Sequence, residues 1–116
     1  MLFYFSKQLA SLTRLGVNDI ILDPGFGFGK TLEQNYEIAR NLTCLQTFGL
    51  PVLVGISRKS MIQKVLGTTP QDSLLGTAML NALLLERGAH ILRVHDVPQA
   101  QQAVAMYEAV TLLTNR

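Results

Sequence analysis

The chain has 116 residues, is 48% hydrophobic, and carries 10 Lys and Arg against 8 Asp and Glu for a net charge of +2. That length fits one small domain with ample apolar content for a core, and the scattered, nearly balanced charges leave no nucleic-acid footprint. The single cysteine, Cys44, excludes an intrachain disulfide, and the opening MLFYFSKQLASL lacks the basic start and cleavage site of a signal peptide and the length of a membrane span, so a cytoplasmic protein is expected.

Residues 2–15 read as a helix stopped by Gly16, and residues 19–22 as a short apolar strand ending at Asp23-Pro24,. Thr31 opens a second helix with Gln34 three residues on, the pattern of a capping box, and Leu32, Tyr36, Ala39, Leu42 and Leu45 fall along one face,. Cys44 lies in this helix and reads as a buried, inert thiol, because no reactive-cysteine signature surrounds it. Phe48-Gly49 ends the helix, and Pro51 opens a second strand running through Ile56. A short helix over residues 60–66 leads into the turn-rich stretch 67–70. An apolar helix over residues 72–87 is closed by Gly88, residues 89–95 form a third strand, and residues 98–113 the last helix, with Asp96 as its cap. All three strands are apolar on both faces, the mark of a parallel sheet covered by helices, so the chain is expected to be an α/β protein. In such folds ligands bind at the carboxyl ends of the strands. The unusual polar groups lie there: Asp23 after the first strand, Ser57-Arg58-Lys59 after the second, Arg93 and His95 at the end of the third.

The glycine-rich stretch ILDPGFGFGKT, residues 21–31, is not a phosphate loop. Counting back from Gly29-Lys30-Thr31, the required first glycine falls on Pro24, which has no N–H to donate. It is not a dinucleotide fingerprint either, since Gly25, Gly27 and Gly29 are spaced two apart throughout. The glycines instead turn the chain tightly from strand to helix and reduce bulk beside a pocket. Asp23 either accepts two parallel N–H bonds, as from an aminopyrimidine edge, or caps its own Asp-Pro-Gly turn. Lys59, directly after a buried strand, is placed to donate to a ligand carbonyl or ring nitrogen, and Gly55 leaves room for a flat ligand. Phe28 either walls the pocket or fills the rim. Ile91, Arg93 and His95 share one face of the third strand. There Arg93 and His95 aim two donors at a phosphate or carboxylate, or else Arg93 pairs with Asp96 while His95 fills the core.

DPGFGFGK at 23–30, PVLVGISRKS at 51–60 and ILRVHDV at 91–97, in that order, resemble the C-terminal part of dihydropteroate synthase. The resemblance implies the last three β/α units of a pterin-binding TIM (β/α)8 barrel, an incomplete barrel spanning residues 1–116. It also implies the condensation of 6-hydroxymethyl-7,8-dihydropterin diphosphate with p-aminobenzoate in folate biosynthesis, with Mg²⁺ required and its ligand strand absent here. Position by position, it assigns Asp23, Phe28, Gly55 and Lys59 to the pterin, Ser57 and Arg58 to p-aminobenzoate, and Arg93 with His95 to the diphosphate. A closed barrel of this kind runs to ~250 residues and eight strands, so the isolated chain is expected to be inactive and to self-associate or join the missing half of the barrel. The alternative is a non-catalytic remnant or a pterin-binding module of a pterin-dependent methyltransferase. An arginine often precedes the small pair occupied here by Gly76-Thr77, and its replacement near Ser73 bears on how that helix is anchored.

Overall fold

Two β-α-β crossovers organise the chain. The computed structural model describes residues 1–27 and 29–112. In chain order the elements are α1 (Leu2–Arg14), α2 (Leu32–Arg40), a 3-10 helix (Leu42–Phe48), β1 (Leu53–Val54), α3 (Ser60–Leu66), α4 (Leu74–Glu86), β2 (Ile91–Leu92) and α5 (Val97–Leu112). Strands β1 and β2 are parallel, with Leu53 opposite Ile91 and Val54 opposite Leu92. On the other side of β1, Leu22 bridges Val52 in parallel: its N–H donates to the Pro51 carbonyl (2.9 Å) and its carbonyl accepts from Leu53 (2.8 Å). Three segments therefore run side by side in sequence order. The ladders are much shorter than the apolar runs 19–22, 51–56 and 89–95 predict. Those runs report burial, whereas a ladder needs partners, and each outer segment has a neighbour on one side only.

A side chain closes the lower end of this ladder. The Val52 N–H donates to His90 Nδ1 (3.0 Å), while the His90 and Ile91 N–H groups both donate to the Val52 carbonyl (2.8 and 3.1 Å).

Strand alternation decides what is covered. Leu22, Val52, Val54 and Ile56 are almost wholly buried, packed with Leu42, Leu45, Met61, Ile62, Leu84 and Ala89. Residues of the opposite parity are open, Ile21 at 53% exposure and Ile91 at 36%. The expected apolar character of both faces is present in the sequence, but helices cover only one of them. The molecule is accordingly a slab of 44 × 43 × 21 Å with a radius of gyration of 15.2 Å, against about 13.4 Å for a compact chain of this length. Its accessible surface of 7586 Å² exceeds the roughly 6,300 Å² of an ordinary monomer of this mass.

The helices follow local chemistry. At the start of α2 the Gln34 N–H donates to Thr31 Oγ1 (3.1 Å) and the Thr31 N–H to Gln34 Oε1 (2.9 Å), the capping box expected from the sequence. The second helix does not run unbroken to Phe48: α2 stops at Arg40, and the chain continues as the 3-10 helix. The apolar face is kept through this change of winding, and Cys44 lies off it. Leu42 and Leu45 are buried and Cys44 is exposed, correcting the expectation of a buried thiol. At Gly76 an added Cβ would lie 2.5 Å from Leu66 Cδ1 and 2.8 Å from Ile62 Cγ2, so glycine there is what lets α3 approach α4. Among the described residues no helix is long and apolar enough to cross a membrane.

Candidate functional site

The side chains of interest gather where the three parallel segments end. Alternation puts Asp23, Gly55, Ser57, Arg93 and His95 on the uncovered face, because each lies an even number of residues from Ile21, Leu53 or Ile91. Asp23 does two things at once. Its Oδ1 accepts the Gly25 N–H (2.8 Å), closing the Asp-Pro-Gly turn, while Oδ2 stands 3.5 Å from Arg93 Nη1. The turn-closing reading of this aspartate therefore holds, with one oxygen in the turn and the other beside Arg93. Arg93 pairs with Asp23 rather than with Asp96, as one reading of the sequence had it. Its guanidinium lies flat across Gly55, where a Cβ would sit 2.6 Å from Nη2. The missing side chain at Gly55 is thus occupied space in this structure, filled by the arginine.

Lys59 reaches the same region from a turn. The Nζ donates to the Phe26 carbonyl (2.7 Å), and its stem passes Gly27, where a Cβ would stand 3.2 Å from Lys59 Cδ. Gly27 has φ +95°, a conformation that side chains resist, so glycine is required there twice over,. Lys30 closes the loop from its far end by donating to the Gly25 carbonyl (2.6 Å). Burial holds the Lys59 ammonium below the ordinary lysine value; Arg93 lowers it further, Asp23 opposes, and Lys30 lowers it slightly. Three cations around one carboxylate make a site that is short of negative charge.

Ser57 and Arg58 are engaged within the protein. Ser57 is buried, and its hydroxyl accepts the His95 N–H (3.3 Å). Arg58 makes a bidentate pair with Asp96, Nη2 to Oδ1 at 2.6 Å and Nε to Oδ2 at 3.1 Å. This bond holds the Asp96 carboxyl below the usual range, against a smaller effect of burial, with the charges of Arg58 and His95 adding to it. The guanidinium of Arg58 is raised by the same pair. Arg58 is therefore turned toward the start of α5. His95 is exposed, so it does not fill the core, the other half of the alternative reading. Phe28 lies outside the described residues. Among those described, no three His, Cys, Asp or Glu side chains group as a metal set, so the donors present do not make a Mg²⁺ site by themselves.

Sequence reasoning missed several supports. Asn35 is 3% exposed; its Oδ1 accepts the Gly27 N–H (2.8 Å) and its Nδ2 donates to the Thr31 carbonyl (3.1 Å), locking the glycine loop to α2. The signal was available, since Asn35 lies four residues before the buried Ala39 and is a polar group on an apolar face. Thr77 and Gln63, which hold the backbone of Arg58, had no such signal.

Known proteins match at this level. A family model described as pterin binding enzyme matches residues 1–95. The dihydropteroate synthase of Escherichia coli (strain K12) is 43% identical over 108 residues, covering 91% of this chain and 38% of the relative. The bifunctional dihydropteroate synthase/dihydropteroate reductase of Helicobacter pylori is 37% identical, over 92% of this chain and 28% of its own length. The crystal structure of Yersinia pestis dihydropteroate synthase superposes with a TM-score of 0.89 at 38% identity, covering 93% of this chain and 52% of that one. A second structure of the Yersinia pestis enzyme, with a pterine-sulfa conjugate, also has a TM-score of 0.89. The chain thus spans well under half the length of these curated relatives.

Proposed function

The chain belongs to the pterin-binding enzyme family, and from that premise we propose that it forms the C-terminal part of a dihydropteroate synthase site. In this reading the whole barrel joins 6-hydroxymethyl-7,8-dihydropterin diphosphate to p-aminobenzoate and releases diphosphate. Asp23 accepts N–H groups from the pterin edge through Oδ2, and Lys59 donates to the ring from the opposite side. Gly55 and the glycine loop keep the slot flat. Ser57 lines the approach of p-aminobenzoate, and Arg58 acts there through the backbone it shapes.

Arg93 and His95 serve the diphosphate. As the bond from the pterin methylene to oxygen breaks, negative charge builds on the departing group, and two fixed donors lower the barrier most where that charge appears. The electron-rich pterin stabilises the cation left behind, and the amine of p-aminobenzoate then attacks it, forming the C–N bond and losing one N–H proton to solvent. Among the described residues no His, Cys, Asp or Glu cluster would hold Mg²⁺. An arriving anion also supplies the negative charge that Lys59 and Arg93 lack.

The observation that carries this reading is the gathering of Arg93, Asp23 and Lys30 around Lys59 at the ends of parallel strands, with Arg93 paired to Asp23. The test combines the chain with a polypeptide supplying the five remaining strands and follows dihydropteroate formation and ligand binding by calorimetry. Arg93→Ala is expected to weaken diphosphate binding more than binding of a pterin lacking it. Asp23→Asn is expected to do the reverse, at ~1–3 kcal/mol for the unpaired pterin N–H. Equal losses for both ligands in both variants would reject the assignment.

A further inference from the structure

Residues Ile56 to Lys59 form a tight turn, closed by the Lys59 N–H donating to the Ile56 carbonyl (3.1 Å). Its third residue, Arg58, has φ +53° and is the one non-glycine residue with positive φ among those described. An arginine gains nothing locally from this conformation, which places Cβ against the following backbone. Such strain persists only where the surroundings enforce it. Here three elements do so. The Arg58 N–H donates to Thr77 Oγ1 of α4 (3.2 Å), the Arg58 carbonyl accepts from Gln63 Nε2 of α3 (2.7 Å), and the guanidinium is held by Asp96 just before α5. Thr77 is 3% exposed, so its hydroxyl is built into the core.

We infer that Thr77, Gln63 and Asp96 form a brace that keeps Arg58 left-handed and thereby positions Lys59 against the glycine loop. The reversal at Arg58 sends the Lys59 stem across Gly27 and its Nζ onto the Phe26 carbonyl. Without that reversal the chain would leave β1 extended and the lysine would point elsewhere. Asp96 follows His95 and precedes α5, so the brace also ties the end of the site proposed for diphosphate to the end proposed for the pterin. These three are positioning residues: they act through Arg58 and Lys59. The inference rests on the reading of Lys59 as the cation that faces ligand.

The test reads the Lys59 ammonium by NMR titration in the 116-residue chain without ligand. The charged groups that face it are Arg93, Asp23 and Lys30, and none of them is altered. Thr77→Val and Asp96→Asn are expected to return the Lys59 titration to the ordinary lysine range, while Thr77→Ser keeps it low. Arg58→Gly, which adopts positive φ freely, is expected to keep Lys59 low as well, and Asp96→Asn added to it to change nothing. Arg58→Ala, with neither the tie nor that freedom, is expected to release Lys59. The brace is overturned if Lys59 titrates as in the wild type in both Thr77→Val and Asp96→Asn. It is equally overturned if Arg58→Gly releases the lysine as fully as Arg58→Ala. Should Thr77→Val fail to fold, the Gly and Ala pair at position 58 decides the matter. Because the titration needs no ligand, its failure overturns the brace, whereas a chain that binds no pterin when completed overturns the functional reading.

Discussion

Among the charged side chains at this site, Arg58 and Asp96 hold each other in place and shift each other's response to pH. Two Arg58 nitrogens hold the Asp96 carboxyl below the usual range. A carboxylate whose folded value is depressed stabilises the fold above its unfolded value, and that contribution is lost as pH falls through the folded value. Asp96→Asn is therefore expected to unfold at lower urea than the wild type at pH 7. The two curves should converge once the pH is well below the ordinary aspartate value of about 3.9. A gap that persists unchanged in acid would mean that the charge of Asp96 contributes nothing. Lys59 runs the other way. Its lowered value means that the unfolded chain binds this proton more readily, so charged Lys59 opposes folding and an anionic ligand relieves the cost,.

Among the elements, the loop between the first strand segment and α2 depends on one buried amide. Asn35→Ala leaves the Gly27 N–H without its acceptor, and a loss of ~1–3 kcal/mol is expected in chemical denaturation. Thr31→Ala, which removes half of the capping box, is expected to cost about 1 kcal/mol. The contrast between these two residues shows what the sequence could reveal. The box at Thr31 and Gln34 is written within four residues, so its chemistry is legible without a fold. Helices α1, α3, α4 and α5 were legible for the same reason, through their periodicity and the glycines or caps that bound them. Cys44 was misread because the lack of a reactive signature does not decide burial, and the residue lies off the face marked by Leu42 and Leu45. The sheet's apolar faces were legible, but their coverage was not, since that depends on strands other than these three. The polar residues at the strand ends could be listed from the sequence, but their partnerships could not be read there. Arg58 and Asp96 are 38 residues apart, and Arg93 and Asp23 are 70 apart. Only the crossover topology brings either pair together.

At the scale of the molecule, among the described residues one face of the sheet has no helix over it and the outer strand segments have unpaired edges. Such edges and an open apolar face drive association. The free chain is expected to sediment as an oligomer and to bind hydrophobic dyes, and to gain amide protection in its strands when a polypeptide with the five other strands is added. A compact monomer with protected amides in all three segments would contradict this. The thinness of the slab also has a calorimetric consequence. Denaturant sensitivity and unfolding heat capacity both scale with the surface that unfolding exposes. A 21 Å slab hides less of its chain than a rounded domain does, so its slope against urea should be about a tenth shallower than its length alone predicts,. Completing the barrel buries the open face, and the transition of the assembled protein should steepen by more than the added residues supply. The steepness of an unfolding curve thus becomes a gauge of whether the two halves have closed around a common interior.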